Sequence, residues 1–274
     1  MKRHRPVRAW IGETHTDPAE LCGPRGLVEE VLSASDEEVE PEPSGDDAFF
    51  ASLMTPERLA RIDAVIDARL ESVTAVLDRL VDPHNVAAIL RTSEGLGLCR
   101  AHVVPASESD AFAHRKVTQD AHKWIDVVQH GSGPAAVRGL IDRGFAVFAG
   151  HLERAARPPS ELPVDRPIAL LLGHEHEGPS PETLRECTGT FRIPMAGFTQ
   201  SFNVSVAAGI ALSQICAARR AFLKKPGDLD VPRKQAMRSR YLRLGAKLAR
   251  RLAGHGGASF AGAGRRSKTG ASNR

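Results

Sequence analysis

Cysteine is scarce in this chain. Cys22, Cys99, Cys187 and Cys216 are the four among 274 residues, they lie far apart, and they form no CxxC pair. That spacing argues against a disulfide framework and against a zinc site, and is expected of reduced thiols in a cytoplasmic protein. Long apolar runs are missing as well. Nowhere do 18 apolar residues follow one another, and no apolar stretch follows Lys2-Arg3-His4-Arg5, so neither a membrane span nor a signal peptide is expected. Basic side chains are absent between Glu29 and Asp47, where nine acids stand.

The reverse holds at the other end. From Arg219 to Arg274 sixteen Lys and Arg face only Asp228 and Asp230, although the formal net charge of the chain is +4. A segment so basic favours a polyanionic partner. The length suits one globular domain with appendages. Residues 1–52 mix Pro, Gly, Ser and acids and are expected to be a disordered acidic extension, because they bury too little apolar surface to offset ordering entropy. Thr55 as N-cap, Pro56 and Glu57 then open a helix along which Leu59, Ile62, Val65, Ile66 and Leu70 recur at helical spacing. Short apolar runs follow at 73–77, 101–104, 125–128, 146–149, 168–172 and 189–193. They alternate with amphipathic segments at 85–96, 134–143, 180–187 and 203–222. This is the pattern of an α/β domain, expected over 53–225, with a mostly parallel sheet and its ligand site at the carboxyl ends of the strands. Residues 226–274 read as a basic helix, 233–252, with a disordered Gly/Ala/Ser/Arg-rich tail.

Three stretches carry chemistry. Asp82-Pro83-His84-Asn85-Val86-Ala87-Ala88-Ile89-Leu90-Arg91-Thr92 is a strand-to-helix junction in which Asn85 sits where an N-cap is expected, and Arg91, six residues on, is expected near the same end and side of the helix. Leu170-Leu171-Leu172-Gly173-His174-Glu175-His176-Glu177-Gly178-Pro179 is an apolar strand running into a loop bounded by glycines, the way such folds expose a binding edge. A metal site among its two His and two Glu is disfavoured, since adjacent loop residues lack the i, i+4 spacing of helix-borne ligands. Ile193-Pro194-Met195 through Ser201-Phe202-Asn203-Val204-Ser205 ends a strand and begins a helix of small residues that must pack closely on its sheet or on another subunit. Taken singly, each stretch also reads as an ordinary cap or turn.

Together, in this order, the three closely resemble the motifs of the SpoU (TrmH) family of RNA ribose 2′-O-methyltransferases in the SPOUT superfamily, over about 53–225. The short N-terminal helix and the basic C-terminal helix look most like the branch that methylates guanosine 18 of tRNA. The resemblance implies a parallel sheet flanked by helices and closed by a C-terminal trefoil knot, an exception to unknotted topology. It also implies S-adenosylmethionine as methyl donor, lined by Gly150, Gly173, Ile193, Met195 and Phe202, with Phe202 standing where the family commonly has Leu. Arg91 is expected at the reacting centre, holding the 2′-oxygen and a phosphate, because an Arg is almost never deprotonated. Asn85 is expected to position it, Glu175 to hold the loop, and Ser201 and Asn203 to orient Arg91 and the nucleotide. No metal is implied. His84, Lys116, Lys123, Arg238 and Arg240 are the expected RNA contacts, with Asp120 in place of the family's usual Gly among them. A cytoplasmic homodimer is implied. Methylation of rRNA or of another tRNA nucleotide remains an alternative. So does an RNA-binding protein without turnover, against which the intact set of five site residues argues.

Overall fold

The computed structural model describes residues 46–107, 123–153 and 155–256, the last ten of them by backbone alone. Most of the acidic extension, the residues after 256 and Lys116 lie outside this range.

Side chains that satisfy free amides start most of the helices. Thr55 accepts from Arg58 N at the head of α2 (Pro56–Asp67), and Asp82 from His84 N at the head of α3 (Pro83–Gly95). Ser132 caps α4 (Gly133–Asp142), and Ser180 caps α5 (Pro181–Glu186). Each of the four has proline in its first two positions, where the missing N–H costs nothing. Between them lie β1 (Val73–Asp78), β2 (Arg100–Val104), β3 (Asp126–Gln129), β4 (Ala146–Gly150), β5 (Ile168–Leu172) and β6 (Gly189–Phe191). All pair in parallel, in the order β3-β2-β1-β5-β4-β6. β1 and β5, side by side at the centre, are buried along their whole length, as parallel strands covered on both faces must be.

One face packs Ala75, Leu77, Leu170 and Leu172 against α3 and α6 (Val204–Leu223). The other packs Val76, Val147 and Leu171 against α4. Each fully buried Leu or Val contributes about 1.5–3 kcal/mol relative to exposure. By length and composition α6 is apolar enough to cross a membrane, but its buried residues, among them Ala208, Ala211, Leu212 and Ile215, belong to this core. Cys99, Cys187 and Cys216 are free thiols, and burial pushes their pKa values up to about 12, 12 and 11.

A third cluster joins the first and last described helices. α7 (Val231–Gly256) lies on α2 through Ile62, Ile66, Leu229, Tyr241 and Leu242. Arg69, 1% exposed, is the polar rivet here. Its guanidinium donates to Glu94 O, Leu98 O, Trp124 O, Glu94 Oε1 and the Tyr241 hydroxyl at 2.7–3.2 Å. The same cluster corrects the expected boundary of the disordered extension. Asp47–Ser52 is a helix, α1, with Phe50 and Ala51 packed on this core and Asp47 hydrogen-bonded to Ser239.

Candidate active site

The three motifs meet at the carboxyl ends of the strands, in the loops after β1, β5 and β6. Glu175, in the loop after β5, accepts from Val81 N and Asp82 N, both at 3.2 Å, in the loop after β1. Asn85 Nδ2 donates to Glu175 Oε1 at 3.1 Å. Asn203 Nδ2 in turn donates to Asn85 Oδ1 at 3.1 Å. Asn203 also caps α6, its Oδ1 accepting from Ser205 N at 2.8 Å. One continuous hydrogen-bonded chain, Glu175–Asn85–Asn203, therefore ties the motifs together. Partial burial pushes the Glu175 carboxyl up, but the bonds from Asn85, Val81, its own backbone and Asp82 outweigh this and hold its pKa below the ordinary glutamate range. It is a fixed anion at neutral pH.

Asn85 is not the N-cap that its place in the sequence implied. Asp82 is, so Asn85 falls in the first turn, where its side chain is buried between the other two motifs. Asp82-Pro83 was the signal for this, since proline prefers the position just inside a capped start. Nor does Arg91 share the side of α3 that Asn85 occupies. Six residues carry it about 9 Å along the axis and about 120° around it. Arg91 is exposed, and among the described residues no hydrogen bond or ion pair holds it. α6 runs alongside, with a Cβ at Gly209 falling 3.9 Å from Thr92 Cγ2. Ser201 is likewise exposed and unbonded among the described residues.

Gly150, Gly173 and Ile193 come at or just after the ends of three neighbouring strands, β4, β5 and β6. The loop at Gly173 is drawn so tight that a Cβ would lie 2.1 Å from Pro179 N, so glycine there serves the loop's own closure. Ile193 and Met195 are half-buried, and Phe202 is 40% exposed. Glycine at two of these strand ends and partly open apolar side chains in the segment after β6 are residue types that a small-molecule site uses. His84 is exposed at the start of α3 and Lys123 is exposed just before β3. Arg238 and Arg240, the expected phosphate contacts on α7, pair with acids of the same chain, Arg238 with Asp63 at 2.7 Å and Arg240 with Asp126. They fasten α7 to α2 and β3.

The profile of the SpoU rRNA Methylase family matches residues 72–213, from the start of β1 to the middle of α6. The chain belongs to the SpoU family. Among SpoU relatives, a tRNA (guanosine(18)-2′-O)-methyltransferase of Thermus thermophilus is 38% identical over 180 residues, covering 65% of this chain and 90% of the relative. The Escherichia coli enzyme of the same name is 34% identical over 160 residues, 58% of this chain and 69% of its own. The 23S rRNA (guanosine-2′-O-)-methyltransferase RlmB of Acinetobacter baylyi is 30% identical over 161 residues, 58% of this chain and 64% of its own. Among solved structures, the TrmH/SpoU tRNA modifying enzyme of Aquifex aeolicus superposes with a TM-score of 0.61 at 27% identity, covering 69% of this chain and 96% of that one. The SpoU match leaves α1, α2 and α7 outside it.

Proposed function

We propose that this chain is an S-adenosylmethionine-dependent methyltransferase acting on a ribose 2′-hydroxyl of tRNA, at guanosine 18. The observation that carries the reading is the bonded chain Glu175–Asn85–Asn203, which assembles three separate motifs into one site, with the exposed Arg91 further along the same helix as Asn85. The names of the tRNA-modifying relatives supply the substrate.

A ribose hydroxyl is a weak nucleophile at neutral pH, so the site has to align it and stabilise the developing alkoxide. When bound, the donor supplies an electrophilic methyl carbon; Gly150, Gly173, Ile193, Met195 and Phe202 would hold it. The Arg91 guanidinium grips the 2′-oxygen and the adjoining phosphate. Asn85 and Asn203 fix the approach of α3 to α6 and thereby aim Arg91. Glu175 is committed to the two amides and Asn85, so it anchors the loop and does not take the proton. Ser201 is open to the nucleotide.

The backbone supports the trefoil knot. The link from β4 to β5 does not take the short way; it passes outside β6, bridging Arg157 to Phe191, and sets the turn Pro159–Glu161 against α6 before returning to β5. A β6 and α6 threaded through that loop, as the proposed knot requires, would account for this course. The outer face of α6, with Val206, Ser213, Gln214 and Ala217 exposed, is the surface we assign to a homodimer. Labelled methyl transfer from S-adenosylmethionine to unmodified tRNA transcripts, with Arg91→Ala as control, tests the reading. Label on tRNA that vanishes in the variant supports it, and label on 23S rRNA alone moves the chain to the alternative set by the RlmB likeness.

A further inference from the structure

Asp78 closes β1 at the centre of the sheet and belongs to none of the three motifs. Its side chain is fully buried, yet no hydrogen bond of ordinary geometry reaches either carboxylate oxygen. A buried carboxylate so placed is costly and calls for a reason. Three elements press on it. Thr183, in the first turn of α5, and the Ser180 backbone at the cap of that helix face it. Gly133, the first residue of α4, comes so close that a Cβ there would lie 2.8 Å from Asp78 Oδ1 and 2.2 Å from Thr183 Oγ1. Arg79 Nε lies 3.8 Å from Oδ1, and Arg79 itself holds a φ of 58°, in the left-handed region that side chains avoid. Strain of this kind persists only where the surroundings over-determine it, and here it opens the loop that delivers the Val81 and Asp82 amides to Glu175. α5, for its part, follows directly on the loop that carries Glu175.

We propose that Asp78 is a positioning residue for the transfer reaction: wedged between the starts of α4 and α5, its carboxylate fixes the left-handed step at Arg79 and so aims the loop amides at Glu175. The proposal rests on the methyltransferase reading above. Asp78 touches neither substrate nor donor; it sets the register between the two loops that carry Asn85 and Glu175. Burial pushes its pKa up, opposed by the Arg79 charge and by the Thr183 and Ser180 donors, and Asp78→Asn keeps the shape of the side chain while removing its capacity for negative charge.

The test uses Asp78→Asn in the full-length chain with three measurements: kcat and KM on tRNA, a double-mutant cycle with Glu175→Gln, and amide hydrogen exchange at Val81 and Asp82, which requires no activity. The expected result is a kcat lower by about ten-fold at a tRNA KM changed less than about two-fold. Exchange at the two amides is expected to speed up by about ten-fold, and the further effect of Asp78→Asn in the Glu175→Gln background to be under about two-fold. Unchanged exchange, or effects of the two substitutions that multiply, overturns the proposal. Should Asp78→Asn fail to fold, Thr183→Val is read by the same three measurements. A folded wild type that transfers no methyl overturns the reaction assigned above, and the exchange experiment then decides the role of Asp78 alone.

Discussion

Replacing Asn85 with Asp puts a second carboxylate against Glu175 without changing the shape of the site. Asn85 is 8% exposed, and its packing survives the isosteric exchange. The amide that donates to Glu175 Oε1 at 3.1 Å becomes an oxygen facing it. Loss of a hydrogen bond to a charged acceptor is worth about 1.5–3 kcal/mol. Two unit charges about 4 Å apart repel by about 4 kcal/mol at the effective dielectric of a protein surface, and Glu175 is open enough to water that roughly half of this is screened. The sum is about 3–5 kcal/mol near pH 7.5, a fall in Tm of about 6–20 °C for a domain of this size. The pH dependence has a definite sign. In the wild type Glu175 titrates below its ordinary value, so its contribution is complete above the unfolded pKa and fades as pH falls through the folded one. In the variant the facing carboxylates raise the pKa of the pair, so acidification removes the repulsion and the deficit shrinks. Differential scanning fluorimetry at about pH 7.5 and about pH 5 reads both effects. A Tm within about 2 °C of wild type at the higher pH, or a deficit that does not shrink at the lower, refutes the reasoning.

Other substitutions separate chemistry from scaffold. Arg91→Lys removes a planar fork from an exposed side chain with no partner among the described residues; Tm is expected to stay within about 1 °C while kcat on tRNA falls by about 100-fold or more. Gly173→Ala drives a methyl to 2.1 Å from Pro179 N, so the loop must open; loss of donor binding in equilibrium dialysis, together with a Tm lower by several degrees, is the expected outcome. Arg69→Met strips a buried guanidinium from five acceptors. It is expected to cost about 3–5 kcal/mol by urea titration and to release α7 to proteolysis.

Much of this was legible in the residues themselves, and the exceptions share a cause. Central strands of a parallel sheet must be apolar on both faces, so Val73–Leu77 and Ile168–Leu172 stand out without any partner in view. β6 stops at Phe191, short of the expected Ile193, as Pro194 approaches with no N–H to offer a ladder. The start of α2 was readable from Thr55, and Ser132 and Ser180 carry the same signal for α4 and α5, because capping is a local matter between a side chain and the amides it faces. What escaped depends on distant groups. α1 is only six residues long and is held by its packing in the third cluster, through Phe50 and the Asp47–Ser239 contact. The pairing of Arg238 and Arg240 with Asp63 and Asp126, more than a hundred positions away, could not be found by inspection. At the site, the resemblance supplied the residues but the geometry supplied their division of labour. Asn85 is a buried link, Asn203 a cap with a second bond to spare, and Arg91 the member left open to a substrate.

The measurement that bears most directly on the central claim is nuclease mapping, with mass spectrometry, of a tRNA transcript after incubation with the full-length chain and S-adenosylmethionine. The expected product carries one added methyl on the ribose of guanosine 18, and a transcript with a single 2′-deoxyguanosine at that position accepts none. Methyl found on a base, on another nucleotide, or undiminished on the deoxy transcript contradicts the account.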